Sequence, residues 1–123
     1  MNGKKILIVD DQADIRKLIR MTLEFEDDFQ CKEAYNGETA LLAIDEWKPD
    51  VVVLDVMMPG RYNGLDVCKQ IKSAVKPPTK VILLTARGQA RDLEEGEKAG
   101  ADRYVVKPFS PGDLVDHIAA VSS

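Results

Sequence analysis

The sequence predicts an α/β fold: a three-layer α/β sandwich with five helices packed on both faces of a five-stranded parallel sheet. Three observations predict it. Short apolar runs alternate with amphipathic stretches along the whole chain, the order expected of a sheet built by right-handed crossovers. Two of the runs, Val51-Val52-Val53-Leu54 and Val81-Ile82-Leu83-Leu84, are apolar at every position, as in strands buried on both faces. The runs also end on residues capable of chemistry, at Asp10-Asp11, Asp55, Thr85 and Lys107.

The first strand is predicted over residues 5–9. Ile15, Leu18, Ile19 and Leu23 recur at helical spacing and predict a helix over 13–25 with that stripe toward the sheet. Residues 29–34 form a partly polar second strand, suited to a sheet edge, and Asn36-Gly37 turns out of it. Ala40, Leu41, Ile44 and Trp47 mark a second helix that Pro49 ends. The central strand lies between Pro49-Asp50 and Pro59-Gly60 and closes on Asp55. Leu65, Cys68 and Ile71 mark a third helix, stopped by Pro77-Pro78. A fourth strand over 81–84 leaves Thr85 at its carboxyl end. Residues 89–99 predict a polar helix with Leu93 as its anchor and an internal Gly96, the least stable of the five. A fifth strand over 103–106 ends on Lys107-Pro108. Ser110-Pro111-Gly112-Asp113 resembles a capping box and starts a last helix carrying Leu114, Ile118 and Val121.

A chain of 123 residues suits one domain over 1–123. Its 45% hydrophobic and 31% charged content is ordinary for a globular protein. With 17 basic against 21 acidic residues, the balance gives no reason to expect direct nucleic-acid binding or attraction to an anionic membrane. Cys31 and Cys68 have no metal-ligand or redox spacing and read as packing residues in a reducing compartment. The first apolar run is too short for a signal peptide or a membrane span, so a cytoplasmic location is expected.

Parallel strands place all their carboxyl ends on one rim, where ligands bind in open α/β sheets. Asp10, Asp11, Asp55, Thr85 and Lys107 can therefore converge although they span most of the sequence. Asp55 alone also reads as a cap for the turn that follows it. Three carboxylates together call for a cation, and an all-oxygen donor set with open positions fits Mg²⁺. Lys107 adds a compact positive charge and Thr85 a hydroxyl, leaving a space suited to a phosphoryl group.

In this arrangement the chain resembles the receiver domain of bacterial two-component response regulators. The matching residues are Ile8-Val9-Asp10-Asp11, Leu54-Asp55-Val56-Met57-Met58-Pro59-Gly60, Leu84-Thr85-Ala86 and residues 100–109, which read Gly-Ala-Asp-Arg-Tyr-Val-Val-Lys-Pro-Phe. The resemblance implies a flavodoxin-like fold with strand order 2-1-3-4-5. It implies that Asp55 is the nucleophile that takes a phosphoryl group from a histidine kinase or phosphotransfer protein. It further implies that Asp11, Asp55 and the Met57 backbone carbonyl ligate Mg²⁺, that Asp10 holds the ion mainly through water, and that Lys107 binds a phosphoryl oxygen. The Lys107–Pro108 bond is then expected to be cis. Thr85 and Tyr104 would form a switch: the hydroxyl moves toward the phosphoryl group and Tyr104 enters the vacated space from an exposed position. The resemblance also places Met57 and Arg87 where side chains tune hydrolysis of the aspartyl phosphate. The implied partners are a kinase and either a downstream protein target or an output domain outside this sequence, with a phosphorylation-dependent dimer possible. No turnover of an external metabolite is implied. The loop Gly60-Arg61-Tyr62-Asn63 is one residue longer than the family's usual form, which bears on how the third helix begins.

Other readings compete at single residues and for the whole chain. His117 reads as a boundary residue interacting with the end of the last helix, Tyr104 alone as an edge-strand aromatic, and Trp47, Phe25 and Phe29 as packing residues. The charges over 91–98 read as a solvated helix face. An FMN carrier of flavodoxin type would offer hydroxyls and amides in its first loop, where this chain has Asp10-Asp11. An aspartate-nucleophile phosphatase would carry an acid where Met57 stands. A pseudo-receiver that binds its partner constitutively would keep the fold without phosphorylation.

Overall fold

The computed structural model describes residues 4–25, 29–58, 62–73, 79–86, 90–107 and 109–122. Strands β1 (Lys4–Val9), β2 (Phe29–Ala34), β3 (Val51–Asp55), β4 (Lys80–Ala86) and β5 (Arg103–Lys107) alternate with helices α1 (Ala13–Glu24), α2 (Gly37–Trp47), α3 (Gly64–Lys72), α4 (Ala90–Ala99) and α5 (Pro111–Ser122). The strands pair in parallel in the order β2-β1-β3-β4-β5, as expected. Because the chain leaves β1 toward β2 and then returns past it to β3, the order reverses between β1 and β3, and a crevice opens at their carboxyl ends. Asp10 follows one of these strands and Asp55 closes the other.

The two-residue period of a strand divides the core into two halves. Leu7, Val9, Val52, Leu54, Val81 and Leu83 face one way and pack with Ala40, Val67, Cys68, Ile71 and Ala99 of α2, α3 and α4. Ile6, Ile8, Val51, Val53, Ile82, Leu84 and Val105 face the other way and pack with Ile19, Leu23, Leu114 and Ile118 of α1 and α5. β3 is buried at every residue, whereas the edge strand β2 alternates and keeps its polar side chains at the surface. Trp47 packs against the first half, as expected, with the Lys32 and Lys5 ammonium groups 5.1 and 5.8 Å from its ring centre.

Two apolar assignments in α1 need correction. Ile19 and Leu23 are buried, but Leu18 is 45% exposed and Phe25, expected to pack, is 87% exposed. The buried stripe is narrower than the sequence suggests: Leu18 lies about 100° around the helix from Ile19, and Phe25 follows the last helical residue. The fourth strand also runs further than expected, since Thr85 and Ala86 pair with Val106 and Lys107. Thr85 is therefore inside β4 rather than at its end.

Asparagine caps set the starts of α2 and α3. Asn36 Oδ1 accepts from the Thr39 N–H at 2.8 Å, and the Thr39 hydroxyl accepts from the Asn36 N–H at 3.2 Å. Asn63 and Asp66 repeat the reciprocal arrangement at 2.9 and 3.1 Å, which settles how the helix after the long loop begins. At α5 the Ser110 hydroxyl accepts from the Asp113 N–H at 3.1 Å, the expected cap. Gly64, the first residue of α3, donates its N–H to the Val56 carbonyl at 3.1 Å, and a Cβ there would collide with the Asp55 carbonyl oxygen. Gly64→Ala should destabilise the fold by about 1–3 kcal/mol through this overpacking. Gly112→Ala, where a Cβ meets nothing within 4 Å, should stay within about 0.5 kcal/mol of the parent or gain stability in urea unfolding.

Candidate functional site

β1 and β3 are neighbours, so the residues that end them meet at the crevice, and Lys107 reaches them from two strands away. Carboxylate oxygens of Asp10, Asp11 and Asp55 lie within 4.8 Å of one another. The Lys107 ammonium donates to Asp55 Oδ2 at 3.2 Å and to Asp10 Oδ2 at 3.3 Å. Asp10 is wholly buried and Asp55 is 5% exposed, while Asp11 is open to solvent. Among the described residues one ammonium faces three carboxylates, which leaves negative charge uncompensated. The donor set is all oxygen and partly open, which suits a hard divalent cation.

The backbone supplies further donors. The Gln12 N–H reaches Asp10 Oδ1 at 2.9 Å and the Met57 N–H reaches Asp55 Oδ1 at 3.2 Å. Burial pushes the Asp55 carboxyl up to about 6, and the charge of Asp10 adds to the rise, while Lys107 and the Met57 N–H pull against it. For Lys107, burial alone would lower the pKa, but Asp55 and Asp10 outweigh it and the net shift is upward, so the lysine stays charged.

Thr85 lies one step beyond the residue that pairs with Asp55. Its Oγ1 is buried and has no hydrogen-bond partner among the described residues, a donor held without an acceptor. Tyr104 was expected to be exposed, yet its ring is half-buried against the α2/α3/α4 half of the core. The cause is Gly96, where a Cβ would stand 2.7 Å from both Tyr104 Cε1 and Leu83 Cδ1, so its absence makes the slot in which the ring rests. From sequence Gly96 reads only as a weak point of the helix; a glycine inside a polar helix opposite an aromatic-bearing strand was the available signal. Gln12 and Gly64 were missed because they act through backbone atoms.

His117 is half-buried, as a boundary residue would be, and its Nδ1 is buried with no hydrogen-bond partner among the described residues. The Met57 side chain is 65% exposed beside the cluster. Arg87, Pro108 with its expected cis bond, and Pro59, Gly60 and Arg61 lie outside the described residues.

The family model of the response regulator receiver domain matches residues 6–119. The chain belongs to this family. Among curated relatives it is 45% identical over 120 residues to the transcriptional regulatory protein ResD of Bacillus subtilis (strain 168), covering 98% of this chain and 48% of ResD. It is 41% identical over 122 residues to the phosphate regulon transcriptional regulatory protein PhoB of Pseudomonas aeruginosa, covering 98% of this chain and 52% of that protein. The receiver thus spans about half the length of these relatives. Among solved structures, a putative response regulator from Chloroflexus aurantiacus superposes with a TM-score of 0.92 at 30% identity over 98% of both chains. The BeF3-activated DrrB receiver domain does so with a TM-score of 0.85 at 39% identity over 97% of both.

A receiver that buries an acid cluster does so at a cost to its own stability. Asp55 takes up a proton more readily folded than unfolded, so its ionisation destabilises the metal-free receiver as pH rises from about 4 to about 6, and the full penalty persists above that window. Asp55→Asn should therefore stabilise the metal-free protein at pH 7.5 by about 1–3 kcal/mol, with the gain shrinking below pH 6 and closing near pH 4. Urea unfolding across that pH range in EDTA measures it.

Proposed function

We propose that this receiver is a phosphorylation-controlled switch in which Asp55 accepts a phosphoryl group from the phosphohistidine of a histidine kinase or phosphotransfer protein. The observation that carries the reading is the convergence of Asp55 with Asp10 and Asp11 under a single bridging lysine at the crevice. An Asp55 carboxylate oxygen forms the new O–P bond as the N–P bond of the donor breaks, and the imidazole leaves with its electron pair and takes a proton. Asp10, Asp11, Asp55 and the Met57 carbonyl would hold Mg²⁺, which when bound supplies positive charge for the transferring oxygens. Lys107 exchanges its bond to Asp55 for one to a phosphoryl oxygen and holds the group in line. Thr85, whose buried hydroxyl has no acceptor, donates to another oxygen of the same group.

The switch follows from what that donation leaves behind. Thr85 and Tyr104 occupy the same face of neighbouring strands, with Tyr104 opposite Leu83 in register. Movement of the hydroxyl toward the phosphoryl group opens space beside a ring already resting in the Gly96 slot, and the surface of α4, β5 and α5 changes with it. The partners are the kinase and a downstream protein or output domain, since the curated relatives named as transcriptional regulators are about twice as long. The chemistry is confined to the domain's own phosphorylation and dephosphorylation, in the cytoplasm.

Intact mass after incubation with acetyl phosphate should show one added phosphoryl group that requires Mg²⁺ and is absent in Asp55→Asn. An unchanged wild-type mass, under conditions that label another receiver, would favour the constitutively binding pseudo-receiver. Lys107→Ala should label more slowly and, once labelled, show a weakened response of the Tyr104 ring in its NMR signals; a full response would rule out the coupling described.

A further inference from the structure

Asp11 is the exposed member of the acid cluster, and its side chain makes no hydrogen bond among the described residues. Its direction is therefore set by the backbone from which it projects. Asp10, one residue before it, is held at every polar atom. Its N–H donates to the Ala34 carbonyl at 3.2 Å, Oδ1 accepts from Gln12, Oδ2 accepts from Lys107, and its carbonyl oxygen accepts from Arg16 Nη1 at 2.7 Å. That carbonyl belongs to the peptide plane joining Asp10 to Asp11, and fixing it fixes the rotation from which Asp11 departs.

Arg16 is itself anchored. Its Nε donates to Glu33 Oε1 at 3.0 Å, so the planar guanidinium is held at one edge by β2 while the other edge grips the loop after β1. Glu33 also accepts from Arg20 Nη1 at 2.9 Å, and the two arginines hold its carboxyl below the usual range, Arg20 contributing most. Arg20 makes no hydrogen bond or ion pair to Asp10 among the described residues, so the structure contains a natural control for Arg16.

We propose that Arg16 is a positioning residue for the cation site, presenting Asp11 to Mg²⁺ by clamping the Asp10–Asp11 peptide plane from a Glu33 anchor. This rests on the reading of the acid cluster as a Mg²⁺ site. Two effects of Arg16 oppose each other: its charge repels a nearby cation, while its fork orders the ligand. Arg16→Lys separates them, because it keeps the charge and loses the planar fork that spans Glu33 and the carbonyl.

The test is the Mg²⁺ Kd of the full chain without phosphodonor, by isothermal titration calorimetry, for wild type, Arg16→Lys and Arg20→Lys, with thermal unfolding of each. Partners that orient metal ligands are typically worth about 10- to 100-fold in affinity, so Arg16→Lys should weaken Mg²⁺ binding about 10-fold or more. Arg20→Lys, which disturbs the same glutamate, should stay within about twofold. With acetyl phosphate, the Mg²⁺ concentration for half-maximal labelling should rise in Arg16→Lys while the rate at saturating Mg²⁺ stays near wild type. An unchanged Mg²⁺ Kd in folded Arg16→Lys, or equal shifts in both arginine variants, would overturn the proposal. Should Arg16→Lys not fold, Glu33→Gln loosens the same arm from its anchor and is expected to weaken Mg²⁺ in the same direction; no weakening there overturns the proposal equally. Absence of Mg²⁺ binding by the wild type would instead remove the cation-site reading on which the positioning role depends.

Discussion

The ammonium of Lys107, held between Asp10 and Asp55, is the contact on which the site depends. Two buried carboxylates side by side would repel each other strongly in a medium of low dielectric, and leaving either without a partner would be costly. A single lysine reconciles them only because the fold delivers it across two strands. Sequence separations of 52 and 97 residues collapse to about 3 Å, and nothing short of the parallel order β1-β3-β4-β5 achieves that. Burial first, and then the charge of Asp10, still raise the Asp55 carboxyl to about 6 against the pull of Lys107. An acid kept in that condition favours any event that brings positive charge to it.

The strand period assigns the site's two tasks to opposite faces of one rim. Asp10, Asp55 and Lys107 continue the alternation of Ile8, Val53 and Val105, the half of the core covered by α1 and α5. Thr85 and Tyr104 continue that of Leu83, the half covered by α2, α3 and α4. Charge is therefore gathered on one side of the sheet and the hydroxyl with its aromatic neighbour on the other. In the proposed switch, a phosphoryl group seated at the rim would touch both and so reach the packing of α4. Gly96 leaves a slot for the Tyr104 ring instead of a side chain.

Much of this was legible in the sequence because burial on both faces writes unmistakable runs. β1, β3 and β4 read directly from them, and Asp10 and Asp55 read from their position at the strand ends, whereas Thr85 proved to lie inside β4. Helix faces were less legible, since Leu18 and Ile19 are equally apolar and only the packing of α1 against its neighbours decides that one is exposed and the other buried. Least legible were groups that act through the backbone. The Gln12 and Met57 amides and the carbonyl that Arg16 grips belong to no residue type, so composition and spacing carry no trace of them. The slot at Gly96 was hidden for a related reason: a missing Cβ is informative only once its neighbour is known.

The segments on either side of the loop after β3 are fixed to the fold by described contacts. Its two ends are fixed independently. At the start, Val56 donates to the Leu84 carbonyl at 3.0 Å, and the Met57 amide is bonded to Asp55. At the end, Gly64 donates back to Val56 while lying so close to Asp55 that no Cβ fits, and the Asn63 and Asp66 caps fix the first turn of α3. Tyr62, just before that cap, packs over Gly37 at the start of α2, where a Cβ would overlap its own. Tyr62 thereby ties the end of this segment to a neighbouring helix. Changes in this segment can then alter the surface between α2 and α3 while Asp55 keeps its backbone contacts.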